Sequence, residues 1–183
     1  MAAARTVGQP IYFSRKPTDL IGTPYLSMAG PLIFLGSEPS FDLPPDLTPL
    51  QATFEDQLEL LSYRAEIIPQ PWADPILQLH LAWRVPQKVA GDYALSLRLL
   101  AADGQEIHKQ DATHPVLSSY PTSLWTPGEV VLDFYELPFP TEKGPLSLHL
   151  LPYRSDGPGQ WHNLMLNETG QEGVRLGPFG GEP

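Results

Sequence analysis

Apolar and polar residues alternate with a period of two in several parts of the chain, which is the pattern of a strand with one buried face. In residues 76–84, every second position from Leu77 to Trp83 carries a large apolar side chain, and the positions between them are polar or small. Residues 92–100 repeat the pattern shortly afterwards. We therefore predict two successive strands, with Trp83 in the core.

Turn signals extend this pattern into a series of strands. The dipeptide Asp103-Gly104 is favoured in tight hairpins because both residues tolerate positive φ, so residues 105–111 are predicted to pair with the preceding strand. Upstream, the alternation changes phase after Leu60, which predicts a bulge or bend. Further strands are predicted at residues 130–137, 146–153 and 161–166.

The spacing of the predicted strands decides the fold class. Strands about 8 to 15 residues apart with turns between them are typical of a sandwich and not of alternating strands and helices. The 22 prolines and 15 glycines also disfavour long helices, because proline lacks the amide donor and clashes with the preceding helical turn. We predict an all-β fold, an antiparallel β-sandwich of jelly-roll-like topology, with at most a short helical turn in residues 48–61.

The two ends of the chain differ from this central pattern. Residues 1–48 contain two strand-like segments, 9–14 and 30–35, followed by a proline-rich stretch. We interpret residues 1–48 as an N-terminal extension and linker after a preceding unit, and residues 49–183 as the β-sandwich domain. The glycine-rich C-terminal tail is predicted to be partly mobile.

Composition narrows the classes of partner. Hydrophobic residues make up 42% of the chain and charged residues 17%, which fits a folded globular protein. The net charge of −10 and the pI near 4.8 argue against nucleic-acid binding, which depends on clustered lysine and arginine. The sequence has no cysteine to form a disulfide, and no stretch approaches the roughly 18 apolar residues that a membrane span needs.

No set of residues has the spacing of a catalytic or cofactor-binding motif. The five histidines lack metal-ligand spacing, no Gly-x-Ser-x-Gly sequence occurs, and the glycine-rich tail lacks the lysine of a phosphate-binding loop. Glu55, Asp56 and Glu59 cluster in sequence, but a sandwich hydrolase would need two carboxylates that converge in a cleft. We predict a non-catalytic chain without a metal ion or a cofactor.

Three aromatic residues are the candidates for contact with a ligand or a partner. Sugars stack their apolar faces on flat rings, and tryptophan and tyrosine combine apolar area with a polar group. Trp72 lies in a proline-rich loop, and Tyr120 and Trp125 bracket a long connection. The alternative is that Trp125 plugs the end of the sandwich, where burial of its ring would fix the loop.

A series of motifs in residues 50–155 resembles a known family. They are ATFEDQLELLSY at residues 52–63, LHLAW at 79–83, Asp92-Tyr93, LLAADG at 99–104, YPTSLWTPGE at 120–129 and Leu137-Pro138. In this order and spacing they resemble the C-terminal domain of bacterial polytopic membrane glycosyltransferase-like proteins, of a mannosyltransferase-like kind, which draw sugars from lipid-linked donors.

The resemblance implies a location and a context. The sequences GQPIYF at residues 8–13 and GPLIF at 30–34 look like the soluble stretch after the last membrane span of such proteins, so we expect the chain to begin after that region. In that family the catalytic carboxylates lie in the membrane-embedded part, so none is carried over to this chain. The resemblance also implies an extracytoplasmic domain, tethered to the membrane through the parent protein.

Together these observations predict a non-catalytic accessory domain. Its expected partner is a glycan or acceptor, or the membrane-embedded part of the parent protein. The alternative is a structural or protein-interaction sandwich without a small-molecule ligand. An open groove lined by Trp72, Tyr120 or Trp125 would favour glycan binding, whereas burial of all four tryptophans would count against it.

Overall fold

The computed structural model describes residues 39–118 and 120–180, together with the backbone of three short strands nearer the N-terminus. These strands are β1 (Ile11–Ser14), β2 (Leu26–Ala29) and β3 (Leu32–Leu35), and they form an antiparallel sheet in the order β1-β3-β2. The two strand-like segments of the N-terminal extension correspond to β1 and β3.

The rest of the described chain is built from nine strands and three short helical turns. The strands are β4 (Thr48–Phe54), β5 (Leu58–Gln70), β6 (Ala73–Arg84), β7 (Ala94–Leu100), β8 (Glu106–Ala112), β9 (Val131–Pro138), β10 (Leu146–Gly157), β11 (Gln160–Asn163) and β12 (Val174–Phe179). The helical turns are α1 (Pro115–Ser118) and the 3-10 turns Thr122–Leu124 and Thr141–Lys143. None of these helices has the length and apolar character that crossing a bilayer requires.

These strands form two antiparallel sheets that pack face to face, which confirms the prediction of an all-β sandwich. A four-stranded sheet has the order β4-β5-β6-β9. A five-stranded sheet has the order β11-β10-β7-β8, with β12 also paired to β10. After the β4-β5-β6 meander, the chain moves to the other sheet for β7 and β8, returns for β9 and moves again for β10.

The core lies between the two sheets and contains the side chains that the alternation predicted. The inward positions of β6 and β7 are buried, and they are Leu77, Leu79, Leu81, Trp83, Leu95, Leu97 and Leu99. The predicted irregularity after Leu60 is confirmed, since the pairing of β5 with β6 shifts register between Leu60 and Ser62. The shift moves β5 into the opposite phase without breaking the sheet.

Two segments for which the sequence predicted no strand contain one in the structure. Residues 48–61 form β4, a turn and the start of β5 instead of a helical turn, because Ala52 and Phe54 alternate into the core and Glu55 takes a positive φ that ends any right-handed helix. The C-terminal tail contains β12, which pairs with β10 and buries Leu176. Gly177 lies within this strand, and Gly170, Gly173 and Gly180 flank it, so the glycines do not keep the segment unpaired.

The last part of the proline-rich stretch lies against the four-stranded sheet. The Val130 amide donates a hydrogen bond of 2.7 Å to the Ser40 carbonyl oxygen, and Leu47 packs against a small apolar cluster on the outer face of that sheet. The buried members of this cluster are Leu61, Ala82, Val130 and Leu132. Residues 39–47 therefore cover apolar surface that the sandwich leaves outside its main core.

Candidate functional site

Two of the three predicted contact residues are buried in the connection between β8 and β9. The ring of Trp125 is 0% exposed, and its Nε1 donates to the Tyr120 carbonyl oxygen over 3.1 Å. The Tyr120 hydroxyl donates to the buried Glu129 carboxylate at 3.2 Å, which also accepts the Thr126 amide at 2.9 Å. Trp125 therefore plugs the end of the sandwich, and neither ring is accessible to a ligand.

The third predicted residue, Trp72, lies far from any core position. It occupies the two-residue turn between β5 and β6, and its side chain is 99% exposed. Pro69, Pro71 and Asp74 around it are exposed as well. The structure thus does not bring Trp72, Tyr120 and Trp125 together on one surface.

A groove on the outer face of the five-stranded sheet combines an exposed ring with several polar side chains. Its volume is about 310 Å³, within the range of small-molecule sites. The lining residues come from four neighbouring strands, and they are Ser96 and Arg98 on β7, Lys109 and Asp111 on β8, Tyr153 on β10, and Trp161 and Asn163 on β11. We refer to it as the outer groove.

The alternation of β7 explains why these side chains face outward. Leu95, Leu97 and Leu99 point into the core, so Ser96 and Arg98 between them point away from it. Antiparallel pairing then sets neighbours beside them, with Asp111 opposite Ser96 and Lys109 opposite Arg98. The polar floor of the outer groove therefore follows directly from the phase of its strands.

Aromatic rings form one end of the outer groove. Trp161 is 65% exposed, and its ring centroid lies 5.5 Å from that of Tyr153 at an interplanar angle of 79°. This edge-to-face contact is a favourable geometry for aromatic rings, with a typical stabilisation of about 0.5 to 1.5 kcal/mol. The contact fixes the orientation of Trp161 while most of its surface stays open to solvent.

A hydrogen-bonded set of polar groups forms the other end. Lys109 Nζ lies 2.9 Å from the Asp111 carboxylate, and Arg98 Nε donates to the Ser96 hydroxyl at 3.3 Å. Burial alone would raise the pKa of Asp111, but hydrogen bonds from Lys109 and Ser96 outweigh it and hold that pKa below its usual value. Asp111 is therefore an ionised acceptor beside two cationic donors at neutral pH.

The short strand β11 is held in place from behind by the turn between β4 and β5. His162 Nε2 lies 2.7 Å from the Glu55 carboxylate, which also accepts the Met165 amide at 3.2 Å. Asp56 accepts a hydrogen bond of 2.6 Å from the Asn167 side chain. Glu55 and Asp56 thus have a positioning role, because they anchor the segment that carries Trp161, whereas Glu59 pairs with Arg84.

The described residues of the outer groove differ from those of a glycoside hydrolase site. Its lining residues include one carboxylate, Asp111, whereas glycoside hydrolysis requires two that flank the scissile bond. Within the described part of the chain, no group of three or more histidine and carboxylate side chains has the arrangement of a metal site. An exposed ring beside fixed donors and acceptors is a typical arrangement for recognition of a polar ligand with an apolar face.

Sequence reasoning did not identify Trp161 and Tyr153 as site residues, although one signal was present. In the segment Gln160-Trp-His-Asn163, the residue that shares a strand face with Trp161 is asparagine and not an apolar residue. A tryptophan on an otherwise polar face is more exposed than one that alternates with leucines, as Trp83 does. The position of Trp161 and Tyr153 beside residues of β7 and β8 depends on the strand order, which no local feature of the sequence indicates.

Comparison with known proteins gives a distant structural likeness only. No protein-family model matches the sequence, and no curated protein matches it. A solved structure described as the C-terminal domain of wzt superposes with a TM-score of 0.45 at 10% sequence identity, over 66% of this chain and 72% of the other. At that identity and TM-score, nothing about function follows from the likeness, so the assignment of the site depends on the geometry of the outer groove.

Proposed function

We propose that this chain is a non-catalytic, carbohydrate-binding accessory domain whose binding surface is the outer groove. The observation that carries the proposal is the ring of Trp161, which is 65% exposed and oriented by Tyr153 at the end of a polar groove. The exposed ring offers apolar area that a ligand can cover favourably. A sugar ring presents the complementary surface, with an apolar face and a rim of hydroxyl groups.

The polar groups of the outer groove would bind the hydroxyl groups of the same sugar. Asp111 and the side-chain oxygen of Asn163 accept hydrogen bonds, while Arg98 and Lys109 donate them. Adjacent hydroxyl groups of a sugar are well matched to such neighbouring donors and acceptors, and charged partners strengthen each bond. Stacking on Trp161 would give affinity, and these groups would select among sugars.

The wider context of the domain belongs to the same proposal. The motifs in residues 50–155 resemble the C-terminal domain of membrane glycosyltransferase-like proteins, which supports an extracytoplasmic accessory role in glycan or acceptor recognition. The membrane-embedded part of the parent protein is the expected second partner. A tag placed after the last strand and probed with protease in intact and lysed spheroplasts would test the location, and cleavage only after lysis would contradict it.

The test of glycan binding is isothermal titration calorimetry of the wild-type chain against a panel of neutral and acidic oligosaccharides. We expect at least one ligand to bind, and we expect Trp161→Ala to weaken that binding about 10-fold or more, since burial of a large apolar side chain contributes about 1.5 to 3 kcal/mol. Trp72→Ala is the matched control, because Trp72 is also exposed but lies at the tip of a hairpin of the other sheet. Equal loss in both variants, or no binding to any sugar, would overturn the proposal.

A second candidate function, protein interaction, has one specific observation in its favour. Trp72 projects almost fully exposed from the tip of the β5–β6 hairpin, and tryptophan is the residue most enriched among those that dominate protein interfaces. This function predicts that Trp72→Ala abolishes capture of a partner by the domain while glycan binding is retained. Retained capture by the Trp72→Ala variant would exclude the hairpin tip as the contact.

A further inference from the structure

A transverse row of basic side chains crosses the outer face of the five-stranded sheet. Lys109 on β8 lies opposite Arg98 on β7, Arg98 lies opposite His149 on β10, and His149 lies opposite Arg175 on β12. Each residue is the direct cross-strand neighbour of the next, so all four lie on one face of the sheet. We refer to Lys109, Arg98, His149 and Arg175 as the basic row.

The placement of basic residues opposite each other in this row is unfavourable for the stability of the sheet. Like charges directly opposite each other in an antiparallel pair are destabilising, and Arg98 faces Lys109 in that way. The chain has only 11 lysines and arginines against 21 acidic residues, yet three of the 11 lie in this row. Departures from local stability rules are expected at functional sites, which makes the row a candidate for ligand contact.

Neighbouring carboxylates neutralise only part of the row. Lys109 pairs with Asp111 at 2.9 Å, and Arg98 lies 3.8 Å from Glu106. Among residues 39–118 and 120–180, no carboxylate lies within ion-pair distance of Arg175, which is exposed. The Arg175 end of the row therefore retains positive charge that a ligand can use.

The basic row and the aromatic end of the outer groove lie on the same face. His149 and Tyr153 are four residues apart on β10, which places them about 13 Å apart along the strand. Beside His149 lies a second depression of about 520 Å³. It is lined by His149, Gln171, Glu172, Gly173 and Arg175. His149 Nε2 is oriented there by the Glu172 carbonyl oxygen at 2.9 Å, to which it donates.

From this arrangement we infer that the ligand is an acidic polysaccharide, with one sugar stacked on Trp161 and carboxylates of neighbouring sugars on the basic row. The inference rests on the proposed function and adds the charge class of the ligand to it. A chain of several sugars spans the distance between Tyr153 and His149, and carboxylate is the group that arginine recognises with two parallel hydrogen bonds.

The experiment compares matched neutral and acidic polysaccharides of equal length on the full chain. The pairs are oligosaccharides of β-1,4-mannan and β-1,4-mannuronan, and of β-1,4-glucan and β-1,4-glucuronan, each pair differing chiefly in the carboxylate. At low ionic strength we expect an acidic member to bind about 10-fold or more tightly than its neutral partner, and we expect the difference to shrink to about threefold or less near 1 M salt, where charges are screened within about 3 Å.

Variants then assign the preference to the basic row. Arg175→Gln is expected to reduce the preference for the acidic member about threefold or more, with its affinity for the neutral member unchanged, because Arg175 is not among the residues that line the outer groove. Lys143→Gln is the control, since it removes a positive charge from the exposed turn Thr141–Lys143. A preference retained in full by Arg175→Gln, or reduced equally by Lys143→Gln, would contradict the inference.

The possible outcomes separate the inference from the proposed function. Binding of neutral and acidic members with equal affinity, still dependent on Trp161, overturns only the acidic ligand and leaves carbohydrate binding intact. Absence of binding to every polysaccharide overturns both. A single-stranded oligonucleotide serves as the polyanion control, and binding of it as tightly as the best acidic polysaccharide would overturn the inference by showing a general anion surface.

Discussion

The four tryptophans of the chain fall into two classes that differ in what their rings contact. Trp83 and Trp125 are fully buried, whereas Trp72 and Trp161 are exposed. Trp83 could be assigned to the core from the sequence, because it alternates with leucines on β6. For Trp125 the sequence left two roles open, contact with a ligand and plugging of the sandwich end, and its burial shows that it plugs the end. Trp161 escaped prediction because exposure on a four-residue strand depends on its neighbours, which the local sequence does not encode.

The plug role of Trp125 predicts a large loss of stability on truncation. Trp125→Ala removes a fully buried ring and its hydrogen bond to the Tyr120 carbonyl oxygen, and is expected to lower the free energy of unfolding by about 3 to 5 kcal/mol. Trp72→Ala, at a site that is 99% exposed, is expected to change it by less than about 0.5 kcal/mol. Urea denaturation followed by circular dichroism measures both, and similar values for the two variants would refute the plug.

His80 predicts a pH dependence of stability. Burial lowers its pKa below 6.5, and the positive charge of Arg64 lowers that pKa further. Because the unfolded chain then binds the proton more readily, the free energy of unfolding should fall as pH drops from about 6.5 towards the folded-state pKa, and His80 should contribute no pH dependence above that window.

Two measurements check the titration of His80. Its ring signals in an NMR titration should show a midpoint below 6.5, and His80→Gln should flatten the fall in stability between pH 7.5 and pH 5.5. A midpoint at or above 6.5 would mean that the contacts of His80 with Arg64 and Phe134 do not disfavour its charged form.

At the scale of elements, short strands and turns position the outer groove. The β4–β5 turn anchors the segment after β11 through Glu55, and the turn before β12 packs closely on β10 at Gly173. The long alternating strands β6, β7 and β10 were predictable from sequence because their periodicity extends over many residues. Strands β4 and β12 were not, because Pro49 interrupts the one and Gly177-Pro178 the other, while tertiary pairing decides their conformation.

Close packing of the turn before β12 predicts a specific effect of substitution at Gly173. Its φ is +66°, and a Cβ there would overlap the Leu150 carbonyl oxygen and lie 2.9 Å from Leu151 Cγ. Gly173→Ala is expected to cost about 1 to 2 kcal/mol for the left-handed backbone and a further amount of about 1 to 3 kcal/mol for the overlap.

Gly104 provides the matched control for that substitution. Its φ is +86°, but nothing lies within 4 Å of a Cβ built there, so Gly104→Ala should show the backbone cost alone. Thermal denaturation of the two variants gives the difference. Equal destabilisation would mean that β12 does not pack tightly against β10, and the Arg175 end of the basic row would then be poorly positioned.

For the molecule as a whole, the sandwich could be predicted from sequence and its functional face could not. Alternation predicts which residues of one strand share a face, and it placed Ser96 and Arg98 outside the core. It does not predict that β8, β7, β10 and β11 lie side by side, which brings residues up to 67 positions apart in the chain, from Ser96 to Asn163, into one groove. The site is a product of strand order, and the three aromatic candidates chosen from loops lie outside it.

The most direct test of the central claim is an NMR titration of the 15N-labelled chain with the tightest-binding oligosaccharide of the panel. The account predicts that the indole N–H signal of Trp161 and the amide signals of Ser96 and Tyr153 shift on addition of the sugar, while the indole signals of Trp72 and Trp125 stay in place. Shifts centred on Trp72 and the β5–β6 hairpin, with the outer groove unaffected, would contradict it.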